Sequence, residues 1–79
     1  MLTTGNQLKA ARALAGMDQV TLAAKAGLNK NTIVAMEKRG SEVLTSGLDK
    51  IQSVMRVLEA EGIEFLNHGQ PGVRLAAKG

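Results

Sequence analysis

Residues 26 to 33 read Ala-Gly-Leu-Asn-Lys-Asn-Thr-Ile, so that four consecutive polar residues, Asn29, Lys30, Asn31 and Thr32, open a new apolar run. These side chains suit recognition better than bond-making. A lysine ammonium donates to guanine O6 and N7, and an asparagine amide pairs with adenine N6 and N7. Val34 and Ala35, one turn further on, are short enough to approach a thymine methyl group. Gln19 stands at the start of the preceding segment, where a side chain and a backbone N–H can meet a phosphate. Lys38 and Arg39 are further phosphate candidates.

Other chemistry is poorly supplied. There is no cysteine, hence no disulfide, thiolate ligand or thiol nucleophile. The one histidine, His68, is expected in a turn beside Gly69, with no second histidine to join it. Glu59, Glu61 and Glu64 gather around an expected helix end and read as solvated carboxylates. Neither a Ser/His/Asp set nor a phosphate-cradling glycine loop is visible, and Gly-Gln-Pro-Gly at 69–72 reads as a turn. The expectation is a protein without catalytic activity, bound metal or cofactor.

Four helices are expected to position the polar cluster. Thr4 and Gln7 have the spacing of a capping box, after which Leu8, Ala11, Leu14 and Ala15 fall at helical intervals and Gly16 ends the run. Asp18 is the second N-cap, with Leu22, Ala23 and Ala26 on one side and Gly27 as the stop. Asn29 caps a third helix over about 29–39, carrying Ile33 and Met36 inward and closed by Gly40. Ser46 with Asp49 starts a fourth, whose core stripe is Leu48, Ile51, Met55 and Leu58, widened by Val54 and Val57. Met17, Met36 and Met55 read as core fillers. Beyond Gly62 two β-prone pieces, 63–66 and 73–75, are joined through Pro71-Gly72, a pair suited to a type II turn. The fold class expected is therefore an all-α core at 1–62 with a short C-terminal hairpin or extended tail at 63–79, whose last residues fray.

Composition agrees with a small domain. The 79 residues carry 44 % hydrophobic residues and a single aromatic, Phe65. A core of aliphatics and methionine this light gains from close helix packing and from a partner subunit. No apolar run approaches the roughly 20 residues that span a bilayer. The N-terminal stretch lacks a long apolar segment, so a cytoplasmic protein is expected. The net charge of +3 is unevenly placed: six cations against Asp18 and Glu37 in residues 1–40, four cations against five carboxylates in 41–79. A polyanion would be drawn to the first half only.

Two short helices joined through a glycine turn, the second opening with polar residues, match the helix-turn-helix pattern, with the turn near 26–29. Gly27 takes the positive φ, Ala23 lets the helices approach, and Leu28 turns inward. Residues 17–40 also resemble the Cro/phage-repressor (XRE-type) helix-turn-helix family: Gln19, Leu22, Ala23, Gly27, Thr32, Ile33 and Glu37 each fall on the matching place. The resemblance extends over residues 3 to about 60 and implies a lambda-repressor-like domain of four to five helices. It also implies that Arg12, late in the first helix, pairs with Glu37 at the end of the third. Val34 and Ala35 depart from it, since many relatives carry a longer polar side chain there.

Three functions are compatible with these residues. The leading one is a transcriptional regulator, such as a repressor, that binds double-stranded operator DNA as a dimer. The second is an antiactivator of the same fold, acting by binding another regulatory protein. The third is an antitoxin or other accessory subunit of a two-protein operon. For a dimer or partner contact the candidates are Val54, Val57, Ile63, Phe65, Val73 and Leu75.

Overall fold

The first three helices begin at a polar residue whose side chain takes up a backbone donor that the helix leaves unpaired. The structure is a computed structural model and describes residues 1–67 and 69–76; His68 and residues 77–79 of the expected frayed tail lie outside the described residues. The elements are α1 (Gly5–Leu14), α2 (Gln19–Ala26), α3 (Lys30–Glu37), α4 (Leu48–Ala60), β1 (Ile63–Leu66) and β2 (Gly72–Leu75). Thr4 Oγ1 accepts the Gln7 N–H at 3.1 Å, Asp18 Oδ1 that of Thr21 at 2.7 Å, and Asn29 Oδ1 that of Thr32 at 2.9 Å. Helix α4 departs from expectation: its N-cap is Gly47 rather than Ser46, without a side-chain cap. Asp49 lies in its first turn, where a carboxylate favours the positive end of the helix dipole.

One hydrophobic core joins all six elements. Leu8 and Ala11 enter it from α1, Leu22 and Ala23 from α2, Ile33 and Met36 from α3, and Ile51, Val54 and Leu58 from α4. Burying a leucine such as Leu22 or Leu58 completely contributes about 1.5–3 kcal/mol relative to leaving it in water. Met17 belongs to this core as expected, and Met55 and Leu28 pack against it. Two expected core residues do not take part, because Leu14 and Leu48 are exposed. The α4 stripe runs Ile51–Val54–Leu58 at i, i+3, i+7 instead, a turn inside the helix end where Leu48 sits. Leu2 and Leu44, in segments read only as loop, are buried, and the Leu44 N–H donates to Thr3 O at 2.8 Å.

The hairpin is present, with β1 antiparallel to β2 in the register Ile63↔Leu75, Glu64↔Arg74, Phe65↔Val73 and Leu66↔Gly72. The expected Pro71-Gly72 type II turn is not formed. Gly72 lies inside β2, and the positive φ of the connection belongs to Gly69 (83°). An isolated hairpin is marginal in water; this one packs Ile63, Phe65 and Val73 on the helical core. Gln7, 3 % exposed, completes the attachment: its Nε2 donates to Gly72 O at 2.9 Å, while its Oε1 accepts the Thr3 N–H at 2.7 Å. Among the described residues no helix is long and apolar enough to cross a membrane.

Candidate nucleic-acid interface

Gly27 decides where α3 begins. It closes α2 in the left-handed region (φ 72°, ψ 28°), a conformation that costs an L-residue and that glycine adopts freely. Leu28 then donates its N–H to Ala23 O at 2.9 Å, and Asn29 caps α3. One side of α3 is buried through Ile33, Met36 and Glu37. On the other, Lys30, Asn31 and Ala35 are exposed, and Thr32 and Val34 are half-buried. Neither the Lys30 nor the Asn31 side chain is held by a hydrogen bond or ion pair to a described residue, though the Lys30 charge acts on the Asp18 carboxylate. Helix α3 ends at Glu37, two residues earlier than expected, and Lys38 is its C-cap.

What fixes this helix is an ion pair at its far end. Arg12 Nε donates to Glu37 Oε2 at 2.7 Å and Arg12 Nη2 to Glu37 Oε1 at 3.2 Å, a two-pronged contact between planar groups. The side chains are 18 % and 6 % exposed. Arg12 Nη1 donates to Met17 O at 3.0 Å, which ties in the α1–α2 connection. The Glu37 carboxylate raises the Arg12 pKa above its ordinary value, first by hydrogen bonding and then by its charge, against the opposing pull of burial. The guanidinium therefore stays charged throughout the pH range in which proteins are folded.

Gln19, expected to meet a phosphate, has its Nε2 on Glu37 Oε1 at 3.2 Å and so links α2 to the same carboxylate. Its backbone N–H remains one of the free donors at the start of α2. Asn29 Oδ1 accepts from both the N–H and the hydroxyl of Thr32, which leaves the Asn29 amide NH2 as its outward-acting group. Arg39 Nε lies 3.3 Å from Val43 O, and Lys38 is exposed. With Arg12 and Glu37 compensating each other, residues 1–40 present Lys9, Lys25, Lys30, Lys38 and Arg39 against Asp18 alone.

Two of the residues expected at a partner contact are inside the chain's own core: Val54 is 0 % and Ile63 2 % exposed. Val57, Phe65 and Val73 pack partly against that core, and Leu75 is exposed. Glu64, read as a solvated carboxylate, pairs with Arg74 across the hairpin. The roles of Gln7 and Gln19 went unrecognised in the sequence, where a glutamine near a helix start signals only capping or exposure.

Asp18 gives this region a pH dependence. The Thr21 N–H, and after it the Thr21 hydroxyl, hold the Asp18 carboxyl below the usual carboxylate range. A pKa depressed on folding adds stability above the unfolded value of about 3.9, and that stability disappears as the pH falls through the folded value. Asp18→Asn keeps a capping oxygen but no charge. Its stability in urea is expected to equal that of the wild type in strong acid and to fall behind above about pH 5. A deficit of the same size in strong acid would contradict this. In comparisons with known proteins, no family model and no curated protein matches the chain.

Proposed function

We propose that the chain is a sequence-specific DNA-binding transcriptional regulator of the Cro/phage-repressor helix-turn-helix type, acting in the cytoplasm as a dimer at operator DNA. One observation supports the reading: α3 is pinned by Ile33, Met36 and Glu37 on one side while Lys30 and Asn31 are exposed at its N-terminal end. That end of a helix is the part that reaches base edges in the major groove. The excess of cations in residues 1–40 supports the same reading, because phosphates attract it without regard to sequence.

The test is a fluorescence-anisotropy titration against the chain's own upstream DNA and a scrambled duplex, at two salt concentrations. Lys30→Ala and Asn31→Ala are each expected to weaken specific binding by about 1–3 kcal/mol without changing the thermal unfolding curve. Equal, feeble binding to both duplexes would refute the reading. A second reading, an antiactivator or accessory protein that acts through another regulatory protein, is favoured by Val34 and Ala35, which leave the middle of the outward α3 face short and apolar. In that case Lys30→Ala leaves activity intact, and substitutions at Phe65 or Val73 abolish it.

A further inference from the structure

Helix α2 carries its own anion. Asp18 is exposed, and its Oδ1 accepts the Thr21 N–H at 2.7 Å. A carboxylate in that place occupies the positive end of the helix dipole, where a phosphate would otherwise be drawn. Thr4 and Asn29 cap α1 and α3 without a charge. Glu37 is buried against Arg12, so Asp18 is the one exposed carboxylate of residues 1–40. The charges of Arg12 and Lys30 act on it, but Arg12 is already held by Glu37.

The neighbouring side-chain donor is engaged as well. Gln19 Nε2 lies on Glu37 Oε1 at 3.2 Å, turned to the protein. A phosphate at this end of α2 therefore meets backbone N–H groups beside a negative charge. Position makes that charge consequential. In a helix-turn-helix the first helix crosses the DNA backbone while the second enters the major groove. Here those helices are α2 and α3, which pack on each other.

We propose that the Asp18 carboxylate repels the phosphate chain and so sets how tightly the protein holds duplex DNA, without changing which sequence it prefers. This role rests on the DNA-binding reading above and adds to the binding face a residue that opposes binding. Phosphates recur at every step of a duplex whatever its bases, so the repulsion weakens specific and non-specific complexes alike. Lys30 and Asn31, the residues assigned to base edges, lie on the other helix and keep their preference. Because Asp18 is exposed, salt screens the repulsion.

The test compares the full-length wild type with Asp18→Asn and Asp18→Ser, which both keep a capping oxygen and lose the charge. Anisotropy titrations use the chain's own upstream duplex and a scrambled one, at about 50 and 200 mM salt. Each variant is expected to bind both duplexes about three- to tenfold tighter at the lower salt, with a smaller gain at the higher. The ratio between the two duplexes stays at its wild-type value. Glu59→Gln, which changes the net charge equally but on α4, is expected to shift affinity less than about twofold. A purely structural cap gives the opposite sign, since a less stable variant would then bind no better than the wild type. Unchanged or weaker binding by the folded Asp18 variants, a gain that ignores salt, a changed ratio between the duplexes, or an equal gain from Glu59→Gln would overturn the role. Should one Asp18 variant fail to fold by circular dichroism, the other decides. The functional reading is judged by the ratio between duplexes, and this role by the ratio between proteins. Equal, feeble wild-type binding that Asp18→Asn tightens keeps the role and ends the sequence-specific regulator; discriminating binding that Asp18→Asn leaves unmoved does the reverse. Absence of binding by every protein to either duplex ends both.

Discussion

Glu37→Ala is expected to remove about 3–5 kcal/mol of stability, because it leaves the Arg12 guanidinium largely buried without its counter-charge. A chain of this length holds roughly 4–12 kcal/mol in all, so the loss is a large fraction of the total. The loss reaches three connections at once. Arg12 retains only the Met17 carbonyl, Gln19 Nε2 loses its acceptor, and α3 loses its tie to α1. The double variant Arg12→Met/Glu37→Leu, which removes both charges, is expected to be much less damaging than the single change, since no ion is then left uncompensated. Urea denaturation of the wild type, the two single variants and the double variant closes the cycle. A cost for Glu37→Ala below about 1 kcal/mol, the level of an exposed pair, would show that water screens this contact after all.

Gly5→Ala is the second large effect, and it runs against the ordinary preference for alanine in a helix. A β-carbon at Gly5 would stand 2.5 Å from Met36 O, 2.8 Å from Gly40 N and 2.9 Å from Glu37 O. All three are backbone atoms, so no side chain can swing aside. Here the first turn of α1 lies directly on the end of α3, and the Asn6 N–H donates to Gly40 O at 2.8 Å. The turn that follows α3 thus satisfies one of the donors that α1 leaves open. Alanine would gain up to about 1 kcal/mol of helix propensity, but forcing the backbones apart costs about 1–3 kcal/mol or more. The net expectation is a loss of up to about 2 kcal/mol, with weaker DNA binding as α3 shifts on α1. A neutral or stabilising result in urea would show that the two helices separate without penalty.

Both predictions concern groups far from Lys30 and Asn31, and that separation shows how much of the protein was legible in its residues. The helices were, because the information is local. Thr4, Asp18 and Asn29 cap only the turn immediately C-terminal to them, and Gly27 can take a positive φ wherever the chain runs. Leu8, Leu22, Ile33 and Leu58 fall inward by helical spacing alone. The β-prone pieces were legible for the same reason, from residue type. The Arg12–Glu37 tie was implied by resemblance, and the structure shows it with both charges largely buried.

Tertiary structure alone decided which residues near the element ends are covered. Leu14 and Leu48 lie at helix termini that run past the core, so correct periodicity still left them in water. Val54 and Ile63, equally plausible as outward contacts, are enclosed because α4 packs on α2 and the hairpin folds back onto α1 and α4. The connection between β1 and β2 follows the strand register, which puts Gly72 in the ladder and the positive φ at Gly69, and pairing across strands is not encoded in one dipeptide. Gln7 and Gln19 make the point for polar groups. A glutamine's own position says that it can donate, but its acceptors, Gly72 O for one and Glu37 for the other, arrive from residues 65 and 18 positions away. Local capping, spacing and charge were set by the sequence read along the chain, whereas burial and long-range hydrogen bonding depend on distances that exist only after the chain has closed on itself.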